Sequence, residues 1–244
     1  NSKNPKETKE SLEKILKKGN FIVFQSKFCR SFFKNEFKYL PNNNVIYNGA
    51  YKCLFYKDHK LKELRQSLSV PLEEEYFVVA GRFTGRKRIK ETIKCISNLT
   101  KYNLVVLSNV PKNEKIFNKR IKYIGFKGAY LANQIICNSK ALIHMDRYDW
   151  CPNIVVSAIA NKVPVICSNY GATSELVKNS GVIVDEYPKD TPHNLEGIKF
   201  VNQSKFPEEL VYEALINIRN KKIDDGIPNK FDIKVCAKNY IKTF

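Results

Sequence analysis

The residues of this 244-residue chain best suited to chemistry stand in three short loops. The first is Gly81-Arg82-Phe83-Thr84-Gly85-Arg86-Lys87-Arg88, which follows an apolar run and opens a helical period. Glycine lets the backbone approach a ligand closely. A helix start offers unsatisfied N–H groups and the positive end of a dipole. Arg82, Arg86, Lys87 and Arg88 add fixed charge at the same spot, and a diphosphate is the ligand this combination suits. Basic residues at a helix start oppose the dipole, which is mild evidence for an anion there. A solvated basic turn is the plainer alternative.

The second loop, Asp146-Arg147-Tyr148-Asp149-Trp150-Cys151-Pro152-Asn153, also joins an apolar run to a helical period and holds the single Trp. Proline near the first helical position costs little, because its missing N–H has no partner there. Backbone amides near Asn153 and Ile154 suit a phosphate or a sugar hydroxyl; alone, a capped helix start explains the segment equally well. The third loop, Ser168-Asn169-Tyr170-Gly171-Ala172-Thr173-Ser174-Glu175, offers Thr173 or Ser174 as a helix cap. His144 reads as a buried, hydrogen-bonded core residue, whereas His59 and His193 lie in polar surroundings without an evident partner. No Ser–His–Asp arrangement, His-Glu-x-x-His or Walker A sequence is present.

Loops positioned this way require a sheet that delivers them to one edge. Nearly continuous apolar runs predict strands over Phe21–Ser26, Tyr76–Gly81, Asn103–Ser108, Ile121–Gly125, Ala141–Asp146, Val163–Ser168 and Gly181–Asp185, the pattern of parallel strands covered on both faces. Helical periods fall at Lys87–Leu99, Lys112–Lys119, Tyr130–Asn138, Pro152–Asn161 and Ala172–Lys178. Two more close the chain, near Pro207–Lys221 and Phe231–Thr243, with Asp224–Asn229 a turn by its Gly and Pro content. At the front, Ser11–Lys18 reads as a helix end, Lys27–Phe37 as a helix, Pro41–Asn44 as a loop and Val45–Gly49 as a short strand. Alternation of strand and helix implies right-handed crossovers and an α/β, doubly wound, Rossmann-like parallel sheet. Ligands of such sheets bind at the carboxyl ends of the strands. Residues 1–50 are too few to bury a core alone and read as the tail of an N-terminal domain plus a linker. Residues 51–230 form the ligand-binding domain, and residues 231–244 a closing helix.

Composition narrows the class. No apolar run approaches the ~20 residues needed to span a bilayer, and the charged N-terminus is no secretory signal. Cysteines at 29, 53, 95, 137, 151, 167 and 236 are scattered singly, which fits a reducing, cytoplasmic compartment and disfavours a zinc site. Cys95, Cys137 and Cys167 sit in apolar runs as small core residues. The net charge of +18 is spread along the chain, so attraction to anionic substrates or acidic lipid surfaces is favoured over specific nucleic-acid binding. The lack of an initiator Met reads as the sign of a fragment or a processed product.

In this order the loops resemble glycosyltransferase family 4, retaining enzymes of the GT-B fold. The matching residues are Val45-Ile46-Tyr47-Asn48-Gly49, Gly81-Arg82 with Lys87, Asp149-Trp150-Cys151-Pro152-Asn153, Ala158-Ile159-Ala160-Asn161-Lys162-Val163-Pro164-Val165, Gly171 with Glu175-Leu176-Val177, and Gly181-Val182-Ile183-Val184. They cover roughly residues 20–187, and the last helix fits the family's closing segment.

The resemblance implies the C-terminal, donor-binding half of a GT-B fold, with a UDP- or GDP-linked sugar as donor and no further cofactor. It implies a hexosyltransferase-like enzyme with a glycan or lipid acceptor. Arg82 and Lys87 would neutralise the donor diphosphate, and Gly81 would lie against it. Phe126 and Lys127 would meet the nucleobase through their backbone, and Asn153 and Ile154 would offer amides to the donor. The family carries two Glu separated by seven residues. Asp149 stands at the first place, as a shorter catalytic carboxylate, and Ser157 at the second, where a hydroxyl replaces the group that grips the ribose; Ala172 replaces a usual Gly. No metal is expected, since the family's fold usually works without one and no Asp-x-Asp stands at a strand end. An N-terminal domain or partner subunit would supply the acceptor site, because transfer requires both halves to position donor and acceptor. The alternative function is a non-catalytic nucleotide-sugar-binding or partner-interaction module. A cytoplasmic protein with peripheral membrane contact is expected.

Overall fold

The structure is a computed structural model that describes residues 5–51, 75–99, 102–221 and 229–243, with positions 63, 66 and 223 besides. His59, Cys53 and most of the turn expected over Asp224–Asn229 lie outside the described residues. Among the described residues, two parallel sheets form. Strands β1 (Phe21–Phe24) and β2 (Asn42–Val45) make a small pair. The main sheet holds β3 (Tyr76–Ala80), β4 (Asn103–Leu107), β5 (Ile121–Tyr123), β6 (Ala141–His144), β7 (Val165–Ser168) and β8 (Gly181–Val184), in the order β5-β4-β3-β6-β7-β8. All seven apolar runs read as strands are strands, each trimmed by one or more residues where the chain leaves the ladder.

The strands are buried on both faces because helices cover both. On β3, Tyr76, Val78 and Ala80 point to one side and Phe77 and Val79 to the other, as the two-residue period of a strand requires. The first side packs on α4 (Ala129–Cys137), α5 (Asn153–Ala160) and α6 (Ala172–Val177), through residues such as Ile136, Val155 and Leu176. The other packs on α3 (Ile89–Ser97) and α8 (Glu208–Asn217). Ile89, Ile93 and Ile96 recur at helical spacing and bury one stripe of α3. This is the doubly wound sheet expected from the alternation of strand and helix. Cys95 and Cys167 are buried thiols within it, and Cys137 is half-buried.

Helices α1 (Pro5–Lys18) and α2 (Lys27–Glu36) precede the sheet. Buried Ser26 caps α2 by accepting a hydrogen bond from the Cys29 amide at 2.9 Å, and Glu175 accepts another from the Lys27 amide at 2.8 Å. Phe28 and Phe32, one turn apart, pack with Tyr170, Tyr187 and Trp150. The last helix, α9 (Ile233–Thr243), is tied to the segment after β2 by the Ala50 amide, which donates to the Phe231 carbonyl at 2.8 Å.

Two local expectations fail, and one helix appears that the sequence did not suggest. The asparagines read as a loop form β2, which starts three residues earlier in the chain than the strand expected over Val45–Gly49. Their backbone pairs with β1 from Asn42 opposite Phe21 to Val45 opposite Phe24, and tertiary pairing overrides the low strand preference of Asn. The helix expected at Lys112–Lys119 shrinks to one 3-10 turn, Lys112–Glu114. Side chains compete for its backbone there: the Ile116 amide donates to the Tyr123 hydroxyl and the Arg120 amide to Asn118 Oδ1. Helix α7 (Leu195–Gln203) was not anticipated because Gly197 weakens its pattern. Glycine is needed there, since a Cβ would lie 1.8 Å from the Pro192 carbonyl oxygen. Among the described residues no helix is long and apolar enough to cross a membrane.

Candidate functional site

The strand order places the topological switch point between β3 and β6, where chain connections leave toward opposite edges. A crevice opens at the carboxyl ends of such strands. The loop after β3 carries Gly81 to Arg88, and the loop after β6 carries Met145 to Pro152. They are joined where the Arg147 amide donates to the Arg86 carbonyl at 3.0 Å. The Arg86 guanidinium lies over the Tyr148 ring, 5.1 Å from its centroid. The third loop joins as well, with the Ala172 amide donating to the Asp149 carbonyl at 2.8 Å. Gly171 has φ 93°, and a Cβ there would lie 2.9 Å from the Asp149 nitrogen. Only glycine fits that approach without strain, so the three loops converge as expected.

At their centre Lys87 Nζ donates to Asp146 and, at 2.7 Å, to Asp149 Oδ2. The lysine is 13% exposed and the two carboxylates 3% and 15%. Burial pushes the Asp146 carboxyl up to about 7, against the pull of Lys87. Burial also opposes ionisation of Asp149, but the positive charge around it, Lys87 foremost and Arg86 with it, outweighs burial and holds this carboxyl below the usual range. His144, fully enclosed on β6, is pushed down to about 3, by burial first and the Lys87 charge second, and is neutral. His144, Asp146 and Asp149 bring one oxygen or nitrogen each within 4.8 Å of one another. The cation held between the two carboxylates is the Lys87 ammonium.

The structure divides the basic run that the sequence joined. Lys87 faces the crevice. Arg82 is exposed and forms no ion pair among the described residues. Arg88 turns away through a left-handed backbone, φ 50°, and is completely buried. Its guanidinium binds both Glu186 oxygens, at 2.9 and 2.7 Å, and the Ser204 hydroxyl. Arg88 is thus a structural anchor rather than a ligand for an anion, and its place at the start of α3 is explained by Glu186. His144 is buried as expected, yet neither ring nitrogen has a hydrogen-bond partner among the described residues. His193, expected in polar surroundings, meets Phe28 edge to face, with ring centroids 4.7 Å apart. Neither Thr173 nor Ser174 caps α6; the Ser174 hydroxyl instead donates to the Asn169 and Gly171 carbonyls.

Beside this cluster lies a cavity of about 1000 Å³, the upper end of the range for small-molecule sites. Phe126, Lys127, Asn153, Ile154 and Ser157, far apart in sequence, all line it. Asn153 begins α5, so the free N–H groups of a helix start face this region. Asn48 donates to Asn153 Oδ1 at 2.6 Å and closes the segment after β2 onto it. Gly81, Arg82, Lys87 and Asp149 belong to the crevice and do not line the cavity. The Cys151 amide, which donates to Asp149 Oδ1 at 3.3 Å, links the two regions through one short loop.

Asn133, and the contact between Lys87 and Asp146, escaped the sequence reading. Asn133 accepts a hydrogen bond from the Ser157 hydroxyl at 2.8 Å. Its signal was a pair of adjacent amides, Asn133 and Gln134, within the otherwise largely apolar α4. Asp146 opens the second loop, but its partner Lys87 is 59 residues away and only the fold joins them.

Solved structures share this architecture. Sucrose-phosphate synthase from Thermosynechococcus elongatus superposes with a TM-score of 0.69 at 13% identity, covering 99% of this chain and 62% of that one. HepE from Anabaena, solved in complex with UDP and glucose, gives 0.70 at 16% identity over 98% of this chain and 67% of its own. A glycosyltransferase from Rickettsia africae gives 0.66 at 16% identity, over 100% of this chain and 67% of its own. The present chain therefore spans only about two thirds or less of these relatives, and the likeness is one of fold: a Rossmann-like domain of the GT-B kind. The comparison with curated proteins finds no match. A family model described as glycosyl transferases group 1 matches residues 61–214, more than half of the sequence, and the chain belongs to that family.

Proposed function

We propose that this chain is the donor-binding part of a retaining, family 4 glycosyltransferase that takes a UDP- or GDP-linked hexose. One observation carries the reading: a half-buried lysine at the switch point adjoins a cavity lined by Phe126, Lys127, Asn153, Ile154 and Ser157. The cavity accommodates the nucleoside, Lys87 and Arg82 take the diphosphate, and Gly81 lets the chain pass close to it. The departing nucleoside diphosphate gains negative charge in the transition state, and a fixed cation at that place stabilises it. Asp149 is held ionised beside the diphosphate position, where a carboxylate opposes positive charge developing on the sugar. Ser157 and Asn133 form a neutral pair that replaces a charged grip on the ribose with hydroxyl and amide hydrogen bonds.

The acceptor, a glycan or a lipid, is met by a further domain or partner subunit, for which residues 1–50 form the junction. The net charge of +18 suits work at an acidic lipid surface on the cytoplasmic side.

Isothermal titration calorimetry with UDP-glucose, UDP-N-acetylglucosamine and GDP-mannose tests the donor reading. One sugar nucleotide is expected to bind saturably, with its parent nucleoside diphosphate as competitor. Heats no larger than dilution for the whole panel contradict it. A non-catalytic module would bind the donor equally well, and turnover by the chain joined to its acceptor-binding half separates the two readings.

A further inference from the structure

Asp146 has no task in donor binding as described so far, yet its place is specific. It is 3% exposed at the end of β6 and shares the Lys87 ammonium with Asp149. The cluster thus holds two carboxylates and one cation, with the neutral His144 ring 3.4 Å from Asp146 Oδ2. A diphosphate that claims Lys87 through the third ammonium hydrogen competes with these carboxylates for one positive charge. It then leaves a buried anion beside a new anion, an arrangement whose desolvation and repulsion are both unfavourable. Two relaxations are open to the carboxylate: solvation, which its burial prevents, or protonation.

We propose that Asp146 is a positioning residue that makes donor binding proton-linked: the diphosphate takes the Lys87 ammonium, and one proton from solvent takes its place on the Asp146 carboxylate. The inference rests on the donor-site reading above. The charged groups facing Asp146 are Lys87 and Arg86 from the loop after β3, and Asp149 from the loop after β6. On the strand that precedes it, His144 is neutral. Cys167, opposite His144 in the β6–β7 pair, is a buried thiol held above its usual range and carries no charge. Asp146 is therefore the group able to take the proton near neutrality, because Asp149 stays ionised.

The sign follows from linkage. The free site binds a proton on Asp146 with a pKa of about 7. Loss of Lys87 and arrival of the diphosphate both raise it further, so the complex binds more protons than the free protein above neutrality. Affinity is then level on the acid side of pH 7 and weakens as pH rises, by up to ~10-fold per pH unit. A sugar nucleotide is the proper probe, since its diphosphate is a diester that does not titrate in this range.

The test is calorimetric titration of the whole chain with UDP-glucose and with GDP-mannose between pH 6 and 8.5, in EDTA, using buffers of different ionisation enthalpy. The expected result at pH 7.5–8 is net proton uptake, read from the dependence of the heat on buffer. In Asp146→Asn, which keeps an oxygen for Lys87 but cannot titrate, uptake and pH slope both vanish while binding persists. Equal heats in all buffers for the native protein overturn the proposal alone, and need no variant to fold. Unchanged uptake in Asp146→Asn overturns the choice of Asp146. Binding that appears only when Mn²⁺ or Mg²⁺ replaces EDTA overturns it in favour of a divalent cation on His144, Asp146 and Asp149. No binding of either nucleotide at any pH overturns the donor reading and this proposal together.

Discussion

Lys87→Ala is expected to weaken sugar-nucleotide binding by about 100-fold or more, near 3 kcal/mol, as when one partner of a buried, hydrogen-bonded charge pair is removed. Two features make the effect large. The ammonium is only 13% exposed, so solvent cannot replace its charge at the diphosphate. It also stands at the switch point, where the crevice must form. The same change leaves the ionised Asp149 beside the diphosphate without a cation, so anion repulsion adds to the lost attraction. Arg82→Ala is the internal control. Arg82 is exposed, and an exposed charge contributes about 1 kcal/mol or less, screened further by salt. Calorimetry at two salt concentrations separates them: a small, salt-sensitive loss for Arg82 and a large one for Lys87 that persists in salt. Native-like affinity in Lys87→Ala contradicts the site.

Arg88→Met is expected to be the most damaging single change to stability while sparing the chemistry of the crevice. The guanidinium is fully buried, binds both Glu186 oxygens and lies between the Tyr187 and Phe206 rings, 5.9 and 5.7 Å from their centroids. Methionine fills part of the volume but strands a buried carboxylate. Removing one partner of such a pair costs about 3–5 kcal/mol. For a domain of this size that corresponds to a fall in melting temperature of roughly 6–20 °C. The pair Arg88→Met with Glu186→Leu is expected to recover part of the loss, because the stranded charge is gone. Thermal unfolding followed by circular dichroism measures both. If Arg88→Met instead kept its melting temperature and lost nucleotide binding, the division of the basic run between Lys87 and Arg88 would be wrong.

That division shows where sequence reading ends. Arg86, Lys87 and Arg88 are three cations in a row, and nothing in their types says which faces the crevice. The left-handed backbone at Arg88 decides it, and Glu186, the partner that justifies that conformation, lies 98 residues away. Strands were legible because burial on both faces demands unbroken apolar runs, as in Tyr76–Ala80 and Asn103–Leu107. Strand β2 was not, because backbone pairing with β1 supports it in spite of three asparagines. The expected helix at Lys112–Lys119 failed for the converse reason: its apparent period was undone by side chains bonding to the backbone. For the candidate site, loop positions were readable as strand ends followed by helix starts. Contacts between loops, such as Lys87 with Asp146 and Ser157 with Asn133, belong to the fold and carry no local signal.

The central claim is that one ligand bridges the crevice and the cavity. Amide chemical-shift mapping of the chain during titration with UDP-glucose and with GDP-mannose tests it most directly. The account predicts that the amides of Phe126, Lys127, Asn153 and Ile154 shift together with those of the Lys87 loop, along a single binding curve. Shifts confined to α1 and α2, or shifts in the Lys87 loop with none around the cavity, would contradict it.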